Sequence, residues 1–126
     1  LALDRIVSVK VAEDIPWREN PDFDTEHYFD DIIGVTKPVG ARPYAITFWA
    51  SPVTCKYIET KPLHPSQKLL KENADGSCVF QIEVVINQEM FSVFLSYGSG
   101  VRILSPEKAA YYMKNILADS LQSYKR

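Results

Sequence analysis

Only two histidines occur, His27 and His64, and they stand far apart in the chain. No Gly-x-Ser-x-Gly, Cys-x-x-Cys, His-x-x-x-His or P-loop pattern is present, so nothing places a nucleophile beside a base or a phosphate against a glycine-rich turn. Asp22-x-Asp24-x-Glu26 has the acidic spacing of a calcium loop but carries His27 where that loop needs glycine, and Gly98-Ser99-Gly100 reads as a helix stop. No catalytic residue, cofactor or metal site is therefore expected. Cys55 and Cys78 have no cysteine or histidine near them in sequence and read as core thiols of a protein in a reducing compartment. One loop does gather chemistry: Lys61, His64 and Gln67 lie around Pro62 and Pro65. A cation, a titratable ring and an amide there could hold an anion. The plainer alternative is a rigid turn in which Gln67 ties down loop carbonyls.

The elements that must carry such residues begin late. Residues 1–12 read as a strand, with Leu3, Val7, Val9 and Val11 on one side. From 13 to 31 there are eight acidic residues and a single arginine, Arg18, broken by Pro16 and Pro21; this is an acidic linker, running to 42. Within it Asp24 can cap a short helix over 25–33 that ends at Gly34. Residues 44–50 then alternate as a strand, with Trp49, Thr47 and Ala45 opposite Tyr44, Ile46 and Phe48. Ser51-Pro52 opens a helix to about 61 with Val53, Tyr57 and Ile58 inward. Strands over 67–72 and 78–86 flank the turn Asn73-Ala74-Asp75-Gly76, a helix covers 89–97, and a short strand spans 101–104. Ser105-Pro106 repeats the cap-then-proline signal for a long helix whose stripe is Ala109, Met113, Ile116, Leu117, Leu121 and Tyr124.

In order, these elements predict an α+β fold: a ferredoxin-like βαββαβ sandwich over 43–126 with an additional C-terminal helix, preceded by an N-terminal strand and a linker helix. Right-handed crossovers put the first and third strands at the centre of a four-stranded antiparallel sheet. The helices cover one face. Trp49, Thr47, Gln81 and Glu83 then point to the other, as bases are stacked in RNA-recognition modules, although Gln81 and Glu83 supply neither a second aromatic nor a cation. An aromatic so placed reads rather as a protein interface, or as a position the extra C-terminal helix covers.

Length and charge limit the rest. The 126 residues make one ordinary domain, and 46% apolar with 24% charged residues is globular composition. Fourteen basic against sixteen acidic residues give a formal net charge of −2, without the basic excess of a free-standing DNA binder. No apolar run approaches a membrane span, so a cytoplasmic protein with no membrane partner is expected. With a strand read from the first residues onward, an upstream portion is expected.

Leu3-Asp4-Arg5-Ile6-Val7-Ser8-Val9, then Thr60-Lys61-Pro62-Leu63-His64-Pro65-Ser66-Gln67, then Val101-Arg102-Ile103-Leu104-Ser105-Pro106-Glu107 resemble the C-terminal part of a WYL-domain transcriptional regulator. The resemblance spans the chain: 1–12 are similar to the closing strand of the Sm-like WYL barrel, and 43–126 to the C-terminal extension. It implies a bacterial regulator whose DNA-binding helix-turn-helix and Trp-Tyr-Leu signature lie upstream. This chain would then be a ligand-sensing or dimerisation module. Arg5 stands where the family's barrel strand carries an arginine, suited to phosphate, or else to a bridge with Asp4 or Glu13. The alternative function is direct binding of a nucleotide or single-stranded nucleic acid through Arg5, Arg42, Lys61 and the Trp49 face; a small ferredoxin-like enzyme is the third. A homodimer is expected, through the unpartnered first strand or the Trp49 face. Specific binding of duplex DNA by this chain alone is not.

Overall fold

The alternation that marks the central strands also builds the core. In the computed structural model, which describes residues 2–125, strands β1 (Tyr44–Ala50) and β3 (Cys78–Val84) pair antiparallel along their whole lengths, Tyr44 opposite Val84 and Ala50 opposite Cys78. Strand β2 (Lys68–Glu72) adds to β3 and β4 (Val101–Ser105) to β1, giving the order β2-β3-β1-β4 with the two longest strands inside, as the sequence predicts. Ile46, Phe48 and Ala50 from β1 and Phe80, Ile82 and Val84 from β3 point to one face and are buried. Phe48 sits at its centre, its ring 5.7 Å from Phe80 and 5.1 Å from Phe94. Truncating a ring so enclosed costs about 3–5 kcal/mol.

All three helices close over that face. Helix α1 (Pro52–Thr60) starts at Ser51, whose Oγ accepts from Thr54 N, with Pro52 in the first turn as predicted. Its inward side matches expectation at Ile58 and differs elsewhere: Cys55 joins Ile58 in the core, while Val53 and Tyr57 face out. The reason is length. Nine residues offer one narrow stripe, and the close approach of Cys55 to Cys78 sets its rotation. Helix α2 (Gln88–Ser96) buries Met90, Phe91 and Phe94. Helix α3 (Glu107–Tyr124) begins after Pro106; Ser105 stays in β4 opposite Thr47 instead of capping the helix. Ala109 and Met113 enter the core, and the Tyr112 ring lies 4.5 Å from Phe91, so α3 lies beside α2 and leaves the Trp49 face open. Only its first half is anchored. Leu117, Leu121 and Tyr124, assigned to the buried stripe from sequence, are exposed because the helix outruns the sheet beneath it.

The segment before β1 departs further from its pattern. No strand forms over the first twelve described residues; Leu3–Arg5 is a single 3-10 turn and the valines after it are exposed. A strand needs a ladder to satisfy its backbone, and among the described residues no strand runs alongside. Leu1, which the predicted strand included, lies outside the described residues. The linker helix over 25–33 is likewise absent: Asp24 does accept from Glu26 N and His27 N, but the chain continues as turns. Tertiary contacts claim it. Ile32 is buried, and Val85 N donates to Asp31 O. Asn87 caps α2 through Met90 N and donates from Nδ2 to both Ile33 O and Thr36 O, 2.9 Å each. Glu89 Oε1 accepts from Thr36 N at 3.2 Å and from the Thr36 hydroxyl. Gly34, at φ +79°, packs so closely on Glu89 that no side chain fits.

Cys55 and Cys78, expected as separate thiols, are joined in a disulfide with Cα atoms 5.9 Å apart. The fold creates this proximity across 23 residues, which spacing alone does not reveal. The inference of a reducing compartment loses its basis with it. No described helix is long and apolar enough to cross a membrane.

Two predictions arise from these ties. Hydrogen bonds from Thr36 hold the Glu89 carboxyl below the usual carboxylate range. A group lowered on folding stabilises above its unfolded value, about 4.3, and that stability disappears as pH falls through the folded one. The melting temperature of the parent should therefore fall between about pH 5 and 3 more steeply than that of Glu89→Gln; parallel curves would show the tie contributes nothing. Reducing the disulfide should destabilise the domain by about 3 kcal/mol, read from denaturant midpoints with thiol titration to verify reduction. An unchanged midpoint in the fully reduced protein would refute it.

Candidate functional site

The sheet face turned away from the helices is defined by register. Across its upper row stand Lys71, Val79, Trp49 and Arg102, from β2, β3, β1 and β4 in turn. The next row is Lys68, Gln81, Thr47 and Ser105, and Ala45 with Glu83 follows. Each outer strand carries a bulge at a leucine, Leu70 in β2 and Leu104 in β4, which preserves this alignment of polar residues on both sides. Trp49 is half-buried at the centre, and the Arg102 guanidinium lies 5.0 Å from its ring centroid, in range for a cation–π contact.

Charge on this face is one-sided. Lys68, Lys71 and Arg102 are exposed, and Glu83 is its one carboxylate. Among the described residues the ion pairs are His27 with Asp24 and Lys37 with Asp31, so none of the three cations has a carboxylate within 4 Å. These cations come from the outer strands, not from the central pair, where Gln81 and Glu83 supply none, nor from Arg5, Arg42 or Lys61. The signal was available in β4, where Val101 and Ile103 face the core and Arg102 between them must face out.

The residues singled out from sequence are not brought together. Arg5 ends the N-terminal 3-10 turn, exposed. Arg42 precedes β1 at the end remote from Trp49; the five residues separating Tyr44 from Trp49 span about 16 Å of strand. Lys61 is exposed, 5.6 Å from the Tyr57 ring. His64 and Gln67 are used internally. Gln67 Oε1 accepts from Leu63 N at 2.9 Å and Nε2 donates to Ile58 O at 3.3 Å, holding the proline-bracketed loop against α1. His64 is buried; its Nδ1 accepts from Ser66 N at 3.1 Å, which puts a neutral ring's proton on Nε2. Ser66 Oγ in turn accepts from Glu83 N at 2.8 Å, extending the β2–β3 ladder by a side chain. Of the two readings of this loop, the geometry is that of the rigid turn.

Cys55, Cys78 and Glu59 place their donor atoms within 4.8 Å of one another. Bonded together, the sulfurs are not available as thiolates.

Residues 42–121 match the family model described as the WCX domain, a span well over half of the chain. No curated protein matches the chain.

Proposed function

Since the chain belongs to the WCX-domain family, a domain associated with WYL-type regulators, we propose that it is a non-catalytic sensing module of such a transcriptional regulator, which recognises a single-stranded nucleic acid or nucleotide on its open sheet face. Duplex DNA would be contacted by a helix-turn-helix outside this chain. The observation that carries this reading is the central Trp49 with Arg102 against its ring on one side and, two strands away on the other, Lys71 in its own row and Lys68 in the next, none of the three cations with a carboxylate within 4 Å. A tryptophan offers a π-face on which any base stacks, and cations on both flanks follow a phosphate backbone. Arg102 covers the ring in the free chain. A base would slide the guanidinium aside or stack upon it, and either arrangement keeps the charge near a phosphate.

The test uses Trp17→Phe, which removes the one other tryptophan, an exposed one, and leaves Trp49 as reporter. A short single-stranded oligonucleotide should quench its fluorescence in a salt-dependent way, each of Lys68→Gln and Lys71→Gln should lower the salt slope by about 0.7, and Trp49→Ala, followed instead by the anisotropy of a dye-labelled oligonucleotide, should lose about 1–3 kcal/mol. Absent or salt-independent quenching would sink the reading.

A second role, dimerisation, is favoured by a different surface. A two-fold contact through the Trp49 face would set its three cations against their own copies, which disfavours self-association there. Leu117, Leu121 and Tyr124 on α3 instead form an exposed apolar line, and a dimer is proposed to form along it. Sedimentation should then give a dimer at micromolar concentration that Leu121→Glu converts to a monomer with unchanged melting. A monomeric parent would exclude it.

A further inference from the structure

Between the end of the linker and the start of α3 lies a cleft of about 530 Å³, open to solvent and far along β1 from Trp49. Its floor is apolar: Val85 and Phe91 are buried there, with the Tyr112 ring against Phe91. Its rim is cationic. Arg42 approaches from the linker and Lys108 from the first turn of α3, with Tyr44 between them. The Lys108 ammonium stands 3.6 Å from the Tyr44 ring centroid. Among the described residues neither cation has a carboxylate within 4 Å. Their effect is felt locally, since the Lys108 ammonium, with a smaller share from Arg42, holds the Tyr44 hydroxyl below its ordinary value.

We propose that this cleft binds a small aromatic anion, with a planar ring on the Phe91 and Tyr112 side and a carboxylate or phosphate held between Arg42 and Lys108. The volume lies in the ordinary range for small-molecule sites, which combine an apolar lining with a few placed polar groups. Aromatic walls select a flat ring by offset or edge-on packing. Arg42 supplies a forked donor and Lys108 a point charge, a pair that suits an oxyanion. The cleft also has a mechanical position. One wall is the segment that enters from the linker and the other is α3, so an occupant would fix the linker's approach to the domain. This site is independent of the Trp49 face.

Calorimetric titration of the whole chain with 4-hydroxybenzoate and with adenosine 5′-monophosphate tests it, with adenosine and inorganic phosphate as the ring-only and charge-only controls. At least one of the two aromatic anions should bind more tightly than either control, and which of the two binds distinguishes a carboxylate from a phosphate ligand. Arg42→Gln and Lys108→Gln, both at exposed positions, should each weaken that binding by about tenfold or more, as loss of a charge-assisted hydrogen bond does. Lys108→Arg should restore most of it, and Trp49→Ala should leave it unchanged. The proposal is overturned if neither anion binds more tightly than the controls, if binding survives both glutamine variants, or if Trp49→Ala abolishes it. Oligonucleotide binding should persist in Arg42→Gln, so failure here would leave the sheet-face reading standing.

Discussion

Seven consecutive residue pairs between β1 and β3 govern this molecule. With a side-chain period of two, that one register decides that Ile46, Phe48, Phe80 and Ile82 meet the helices and that Trp49, Thr47, Gln81 and Glu83 do not. A slip of β3 by one residue would bury Glu83 and expose Phe80, so the arrangement is fixed by the free energy of the core. The chemistry of the open face is what remains after the core has been satisfied. That face could vary in charge without disturbing the fold, which is how a binding surface can be grafted onto a common architecture.

Much of this was legible in the sequence, and the reasons differ between elements. The central strands announced themselves because alternation and burial coincide; α2 did so through Met90, Phe91 and Phe94 followed by Gly98. Orientation was harder. Val53 and Tyr57 of α1 are apolar at helical spacing yet outward, because a short helix pinned at Cys55 has little freedom to choose its face. The stripe of α3 continued past the edge of its support, and periodicity says nothing about where a neighbour ends. Residues 25–33 had a real cap in Asp24 but lacked the length to hold a helix against competing hydrogen bonds from Val85 to Asp31 O and from Asn87 to Ile33 O.

The site was less legible than the fold. Lys61, His64 and Gln67 are chemically versatile residue types, but two of the three hydrogen-bond their own loop. Lys68, Lys71 and Arg102 are scattered over two strands and become a group only through pairing with β3 and β1. Such convergence is a property of topology, as is the meeting of Arg42 with Lys108 across 66 positions of chain. Asn87 falls in the gap between the strand over 78–86 and the helix over 89–97 that the sequence predicts. Its two donations to the linker make it the joint by which 31–36 is attached to the domain.

Strand β2 has one further consequence. It is the outer strand on its side of the sheet, wholly exposed, and it carries Leu69 and Leu70 where a passing chain could pair with its free backbone. Two lysines and a bulge are the usual guards against such pairing, since charge repels an identical edge and an irregular backbone offers it no continuous ladder. The same Lys68 and Lys71 charge the Trp49 face. Colloidal behaviour and ligand attraction thus share two ammonium groups, and a lineage that lost them to weaken binding would also uncover a site for fibrous growth.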